Sequence, residues 1–544
     1  MTPPRLNDLV MLARLTRDFH RFLRTPITVE QVVRVTQRQL ETREDRFLLM
    51  AEQAIYGHQR SPYLRLLRAA GCELGDLKAL VANEGLEGAL SRLLESGVYV
   101  TFNEFKGRNE AIRGSQRFIF VEEDFDNPHF APHFEVRSGG TRGPATSVKQ
   151  GLPSIADLAA TTALAVYAQG LSQHDHALWI IAGLTPMLIY TKLGRAPLAW
   201  FYPLKPLPAK LQAGARYLAA LGRLLGCRLP TPAFFDLRAP DRMAAWLATR
   251  LKEGKRICVT TYASSAVRIC TAAKEMGVTL NGVCFITLGE PYTQAKQRMI
   301  EAVGARALVR YAFTEAGIIG YGCADPHSSD DLHFFGNCYG LIQRQTEVAV
   351  SGLWVDAFLF SSLLPSAPKI LLNVESGDYG TVDRRACACK LGALGLTTHL
   401  SRIRSFEKLS GEGMTFVQTD LLWVLEEVLP AHFGGTSADY QVLEEERADG
   451  ILRLLLVVSP RVGPVDAKRV RHTFLEALGR DGGFARLSAE LWRRAGTVQV
   501  KRQWPVVTTA GKILPFHVIK GQGTTHDDHG FGRMAPPDTN ETIE

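Results

Sequence analysis

Apolar residues return at intervals of three and four through residues 8–24 and again through 63–94, the spacing of helix faces turned toward a core. From about residue 96 the rhythm changes. Short runs rich in β-branched and aromatic residues alternate with helical stretches: strand at 256–263, helix at 264–276, strand at 283–288, helix at 293–303, strand at 307–313. Such alternation predicts a parallel sheet with helices on its faces. Beyond 403 the pattern predicts a helix at 420–429, a strand at 452–458 and a helix at 465–478. The expected fold class is α/β. A helical region spans 1–95, a large domain with mostly parallel sheets and flanking helices spans 96–402, and a small α+β C-terminal domain spans 403–520. Residues 521–544, rich in Gly, Asp, Thr and Pro, read as a disordered tail, and His526 and His529 belong to it rather than to a metal site.

Composition narrows the class. A chain of 544 residues is long for one core and should divide into a larger and a smaller unit. Hydrophobic content of 46% and charged content of 22% are globular values. The net charge of +8 is spread along the chain without a long Lys/Arg block, so no nucleic-acid partner is expected. Nine cysteines, with Cys258, Cys270 and Cys284 in apolar runs, suit buried thiols in a reducing cytoplasm. Neither a secretory signal nor a membrane span is expected. The longest apolar run, 178–190, is too short to cross a bilayer and contains Pro186.

The loop Ser138-Gly139-Gly140-Thr141-Arg142-Gly143 combines glycines, hydroxyls and a guanidinium. Glycines let backbone N–H groups approach a polyanion, and the side chains add donors, which is what holding a triphosphate requires. The plain alternative is a Gly/Ser surface loop. No Lys follows its last glycine, so a catalytic cation must come from elsewhere, and Gly511-Lys512 supplies one far downstream.

Five segments in order resemble the adenylate-forming ligases, which join a carboxylate to AMP and pass the acyl group on. They are the loop at 138–144, Gly289-Glu290-Pro291-Tyr292-Thr293 with Arg298, Tyr311-Ala312-Phe313-Thr314-Glu315, Glu375-Ser376-Gly377-Asp378, and Gly511-Lys512. The second is similar to a segment of the phenylacetate–CoA ligase branch, as is the stretch 99–115 ahead of the loop. The proposed nucleotide segments also fall at the C-terminal ends of expected strands, where open α/β sheets bind ligands.

The resemblance implies ATP and Mg²⁺ as cofactors, a small carboxylic acid as substrate, and coenzyme A as acceptor. A carrier or acceptor protein thiol, or an amine, stays open as the acceptor. It places Ser138, Gly139, Gly140, Thr141, Arg142 and Gly143 on the β- and γ-phosphates, and Glu315 on Mg²⁺. Asp378 would accept from the ribose hydroxyls, Arg402 would contact ribose or phosphate, and Lys512 would bridge carboxylate and α-phosphate in the transition state. Gly289, Glu290, Pro291, Tyr311, Ala312, Phe313 and Thr314 complete the nucleotide set. Plain alternatives are a helix-capping charge for Glu315 and a turn residue for Asp378. A module that keeps the fold without turnover is the other class of reading. Arg142, Ala312 and Leu514 depart from the family pattern, as do Arg404 and Ser405 where an Asp or Lys hinge is common.

Cys323, His333, Cys387 and Cys389 form a further candidate, for structural Zn²⁺. The branch can carry a Cys-x-Cys and a Leu-His pair at these places, which favours His333 over His327. Ordinary buried thiols are the alternative. The acyl pocket is expected near Trp179, Tyr262 and Gly289, with Trp179 as plain core the competing reading. A hinge is expected at 402–405.

Overall fold

The computed structural model describes residues 6–137, 147–203, 207–236, 239–347, 354–405, 410–411, 414–415, 421, 423–435, 439–446, 452–480, 483–506 and 516–518. Two short hairpins lead the β-structure: β1 (Ala111–Arg113) with β2 (Gln116–Phe118), and β3 (Phe134–Arg137) with β4 (Ser147–Gln150). Then β5 (Asp175–Trp179), β6 (Ala199–Tyr202), β7 (Pro232–Phe234), β8 (Ile257–Tyr262), β9 (Val283–Leu288) and β10 (Arg306–Phe313) pair in parallel, in the order β7-β6-β5-β8-β9-β10. Helices Leu184–Lys192, Ala209–Leu224, Pro240–Lys252, Ala263–Glu275 and Gln294–Glu301 carry the chain between them. This is the alternation expected from the sequence. β8 returns beside β5 rather than β7, so the winding reverses there and opens a topological switch point at the C-terminal strand ends.

The sheet does not stop at its parallel half. β11 (Gly317–Gly322), β12 (Leu332–Phe334), β13 (Tyr339–Glu347), β14 (Trp354–Ser362), β15 (Val374–Arg384) and β16 (Thr398–Ser405) extend it antiparallel, in the order β10-β11-β12-β16-β15-β14-β13. Among the described residues the result is one mixed sheet of twelve strands. Laid flat, β10 and β14 would be about 24 Å apart at 4.8 Å per strand. Instead Phe313 on β10 and Phe360 on β14 have ring centroids 5.4 Å apart. The antiparallel half therefore curls back over β10, closing an aromatic interior that also holds Tyr311 and Phe334.

Ahead of the sheet lie helices Leu6–Arg24, Val29–Glu41, Arg43–Met50, Pro62–Ala69 and Leu74–Glu95. The helix expected over 63–94 is interrupted twice: Gly71 takes φ +68 and ends the first helix, and Gly85 at φ +70 kinks Leu74–Glu95. These helices are fastened to the sheet by part-buried and buried polar bonds. Arg43 Nε donates to the Gly336 carbonyl at 2.9 Å, Arg46 to the Leu363 carbonyl at 2.9 Å, and Asn373 Nδ2 to the Leu90 carbonyl at 2.8 Å.

Beyond β16, a two-residue pair, β17 (Ser410–Gly411) with β18 (Met414–Thr415), precedes a four-stranded sheet. That sheet contains β19 (Tyr440–Glu446), β20 (Leu452–Val458), β21 (Val498–Arg502) and β22 (Phe516–Val518), in the order β21-β20-β19-β22. Helices Ala467–Leu478 and Gly483–Ala495 accompany it, and Val470, Phe474, Leu491 and Trp492 pack with Val442, Leu454 and Leu456. The same apolar cluster continues into Leu247, Ala266 and Ile269 of the parallel half. Among the described residues no helix is long and apolar enough to cross a membrane.

Candidate functional site

Two of the sequence motifs meet side chain to side chain. The Tyr311 hydroxyl, near the end of β10, donates to Asp378 Oδ2 on β15 at 2.9 Å. Curling of the antiparallel half makes this contact possible between strands four places apart in the sheet. Asp378 is not a turn residue; it lies inside β15 at an irregularity. Pairing with β14 shifts from Leu359↔Glu375 to Ala357↔Tyr379, so four positions on β15 face two on β14. Gly377, at φ +78, absorbs the extra length, and the Ser376 hydroxyl accepts the Asp378 N–H at 3.2 Å. The bulge re-aims Asp378, which is 8% exposed, toward β10.

The Gly289-Glu290-Pro291 segment leaves β9 beside the end of β10 that carries Tyr311. β9 and β10 run in register through Thr287↔Val309, which sets Gly289 level with Tyr311. Gly289 turns at φ +78, Thr293 caps the helix that follows, and buried Lys296 donates to the Pro291 carbonyl at 2.6 Å. Arg298 lies exposed on that helix.

Glu315 sits with Thr314 in the tight turn joining β10 to β11, so the helix-cap alternative does not apply: a strand, not a helix, follows it. The turn is closely fitted. The Tyr339 hydroxyl donates to the Ala316 carbonyl at 2.6 Å, and a Cβ on Gly317 (φ +100) would come within 2.7 Å of Leu158. Sequence reasoning missed the partner of Glu315. Lys106 Nζ lies 2.6 Å from Glu315 Oε1 and 3.1 Å from Glu122 Oε1, with only 7% of its side chain exposed. Its local signal is readable: Thr101 and Glu104 form a capping box, and Gly107 at φ +65 ends the short helix Phe102–Phe105. Nothing in that signal points 209 residues ahead to Glu315.

Arg402 is exposed and takes φ +53, uncommon for a residue other than glycine. It lies at a second register shift, between Tyr379↔Arg404 and Thr381↔Ser401, where a Cβ on Gly380 would come within 2.7 Å of the Ser401 carbonyl. The expected hinge, 402–405, falls within paired strand, because Ser405 and Arg404 are in register with Asp378 and Tyr379. Ser138, Gly139, Gly140, Thr141, Arg142, Gly143 and Lys512 lie outside the described residues.

The cysteine cluster assembles around the far end of β11. The ligand atoms of Cys323, His333, Cys387 and Cys389 all lie within 4.8 Å of one another, whereas His327 is not among them. Cys323 and Cys387 sulfurs are 3.4 Å apart, and His333 Nε2 is 3.0 Å from Cys389 Sγ. His333 Nδ1 lies 2.7 Å from the Leu396 carbonyl, which fixes a tautomer with the Nε2 lone pair aimed at the sulfurs. Burial, with help from neighbouring His399, pushes the imidazole down to about 4 and keeps it neutral. Burial alone would raise the Cys387 thiol. The Cys389 backbone, the Cys323 and Cys389 side chains and Arg385 together bring it below its ordinary value. Three sulfurs and one neutral imidazole converging in this way fit a tetrahedral zinc. Around them, Asp331 accepts from Arg385 and lies 2.7 Å from His399 Nδ1, an outer layer that the motifs did not reveal.

At the switch point the expected pocket residues part company. Trp179 is in register with Thr261, so Tyr262 points to the opposite face of the sheet. Trp179 is core, 1% exposed, its indole N–H donating to the Phe235 carbonyl at 3.2 Å.

No protein-family model and no curated protein sequence matches this chain. Among solved structures, 2-hydroxyisobutyryl-CoA ligase, in complex with 2-HIB-AMP and CoA in the thioesterification state, is similar. It shares 15% identity over 88% of this chain and 89% of its own, with a TM-score of 0.51. An amide bond synthetase variant from Marinactinospora thermotolerans matches at 16% identity, covering 82% of this chain and 84% of its own, with a TM-score of 0.39. The anthranilate CoA ligase AuaEII, in complex with anthranoyl-AMP, matches at 11% identity, 78% and 75% coverage, and a TM-score of 0.35.

Proposed function

We propose that this chain, whose fold is that of the adenylate-forming ligases, activates a carboxylic acid with ATP and hands the acyl group to a thiol, coenzyme A in the first instance. In the first step a carboxylate oxygen attacks the α-phosphorus, the bond to the β-phosphate oxygen breaks, and pyrophosphate leaves. In the second, the thiol sulfur, having given up its proton, attacks the acyl carbon, and AMP leaves with the bonding pair. The observation that carries this reading is the Tyr311–Asp378 bond, which joins two of the five ordered motifs at 2.9 Å across the curled sheet.

Asp378, aimed by its bulge and held by Tyr311, would accept from the ribose hydroxyls. Gly289, Glu290 and Pro291, level with Tyr311, would flank the nucleotide beside Ala312, Phe313 and Thr314. Arg402, re-aimed at its own register shift, would reach ribose or phosphate. The loop from Ser138 to Gly143 would take the β- and γ-phosphates, and Lys512 would steady the charge that builds on carboxylate and α-phosphate oxygens. Glu315 supplies one hard oxygen donor, which suits Mg²⁺ bound chiefly through nucleotide phosphates. When bound, the ion neutralises phosphate charge. Cys323, His333, Cys387 and Cys389 would hold a structural zinc, consistent with the phenylacetate–CoA ligase branch.

The test is product analysis. Purified protein, ATP, Mg²⁺ and a panel of aryl and medium-chain acids should give an acyl-AMP detectable by mass spectrometry. Added coenzyme A should convert it to the thioester. Acyl-AMP that persists with coenzyme A but is consumed by a carrier-protein thiol or an amine would reassign the acceptor. Absence of any acyl-AMP would support a module without turnover.

A further inference from the structure

Lys106, Glu122, Lys369, Asp126 and Lys149 extend from Glu315 as a line of alternating charge. Lys106 bridges Glu315 and Glu122, at 2.6 and 3.1 Å. Lys369 lies 3.8 Å from the Glu122 carboxylate, donates to the Glu122 carbonyl at 2.9 Å, and meets Asp126 at 2.8 Å. Lys149, on β4, closes the line on Asp126 at 2.8 Å. The two inner lysines are 7% and 3% exposed. Lys106 also lies over the rings of Phe102 and Phe105, at 5.6 and 5.5 Å.

An ammonium 2.6 Å from Glu315 Oε1 takes up one coordination direction of that carboxylate. A divalent ion bound there through oxygen at about 2.1 Å would face a like charge only a few ångströms away. Either the ion stays off or the ammonium yields. Lys106 can yield without being stranded, because its second partner, Glu122, is already at bonding distance. A buried lysine with one acid would resist displacement, since an unpaired buried charge is costly. A lysine between two acids can shift its weight from one to the other.

Resting on the assignment of Glu315 as the metal-holding acid, we propose that Lys106 is its resident counter-ion. Lys106 occupies the cation position of the site until a divalent ion displaces it toward Glu122, and it thereby sets how strongly the site demands metal. Lys106 is a positioning residue in this scheme, not a catalytic one. Removing its charge should make Glu315 a better metal ligand.

The experiment titrates Mn²⁺ into the full-length protein holding one equivalent of a non-hydrolysable ATP analogue, whose phosphates supply the ion's other ligands, read by calorimetry or by the electron paramagnetic resonance of free Mn²⁺. Lys106→Met should bind Mn²⁺ at least about tenfold more tightly than wild type, the cost of the competing ammonium having gone. Lys106→Arg, which keeps the charge, should stay within about twofold of wild type. Adding Glu315→Gln to Lys106→Met should abolish the gain. Unchanged Mn²⁺ affinity in folded Lys106→Met, or a gain that survives Glu315→Gln, overturns the inference. If Lys106→Met does not fold, Lys106→Met/Glu122→Gln removes one of the two acids left facing the gap, and the same comparison applies. Acid-dependent pyrophosphate exchange by wild type is measured alongside. Exchange without the Mn²⁺ gain refutes the role of Lys106 and leaves the ligase reading standing. The Mn²⁺ gain without exchange supports the counter-ion and refutes the ligase reading.

Discussion

Replacing Tyr311 with Phe removes one oxygen and little else. The ring keeps its neighbours, with Phe360 and Phe313 centroids at 6.4 and 6.5 Å, so the aromatic interior should not repack. What goes is the 2.9 Å donation to Asp378 Oδ2, a carboxylate 8% exposed. A hydrogen bond to a charged group contributes about 1.5–3 kcal/mol net, equivalent to about tenfold to 150-fold in an equilibrium. In this account the bond positions Asp378 for ribose, so the loss should appear mainly in the KM for ATP during acid-dependent pyrophosphate exchange, with a smaller fall in kcat. The control is 2′,3′-dideoxy-ATP, which offers no ribose hydroxyls to Asp378. The Tyr311→Phe penalty should shrink to a few-fold with that nucleotide. An unchanged KM for ATP in Tyr311→Phe would refute the reasoning. So would an equal penalty with both nucleotides, because the hydroxyl would then act somewhere other than through Asp378.

Elemental analysis of purified protein should find one equivalent of zinc that survives dialysis. Cys389→Ser should lose it and lower the melting temperature, whereas metal-free wild type of unchanged stability would make the cluster ordinary packing. Gly183→Ala drives a Cβ into the Trp200 ring and should cost about 1–3 kcal/mol in urea unfolding. Gly214→Ala, on an exposed helix face with nothing within 4 Å, should gain up to about 1 kcal/mol; equal effects at the two sites would contradict the packing described. His176 is buried with Nδ1 unpartnered, and burial, then His174 and Arg195, lower it from 6.5 to about 3. Between those values the unfolded chain binds a proton that the folded chain refuses, so this group lowers stability as pH falls from 6.5 toward 3, by up to about 1.4 kcal/mol per pH unit. His176→Phe should flatten that slope by one proton; identical slopes would show that His176 is not held neutral.

The parallel half was legible because each of its elements carries its own periodicity. Residues 283–288 are a strand with the bounds expected, an apolar run closed by Gly282 and Gly289; in the C-terminal sheet 452–458 also has the bounds expected, apolar but for Arg453 and ending at Ser459. The antiparallel half was not. β13 to β16 mix charged, aromatic and glycine positions, and their register shifts at Gly377 and Gly380 break the two-residue alternation that marks a strand. The partition of Trp179 and Tyr262 to opposite faces follows from register, which appears only once β5 and β8 are paired. At the site, the motif residues could be named because each segment has a recognisable local pattern. Lys106 could not, since its bond to Glu315 depends on how the β10–β11 turn meets the helix Phe102–Phe105 in space. The same holds for Asp331, Arg385 and His399 around the cysteine cluster.

The central claim is that this chain makes acyl-adenylates, and ATP–pyrophosphate exchange tests it most directly. With Mg²⁺ and a panel of aryl and medium-chain acids, wild type should exchange labelled pyrophosphate into ATP only when a suitable acid is present. Folded Lys512→Ala should lose about 10²–10³ of that rate, the worth of one transition-state charge contact. Acid-independent exchange, no exchange with any acid, or a folded Lys512→Ala variant that exchanges at the wild-type rate would contradict the account.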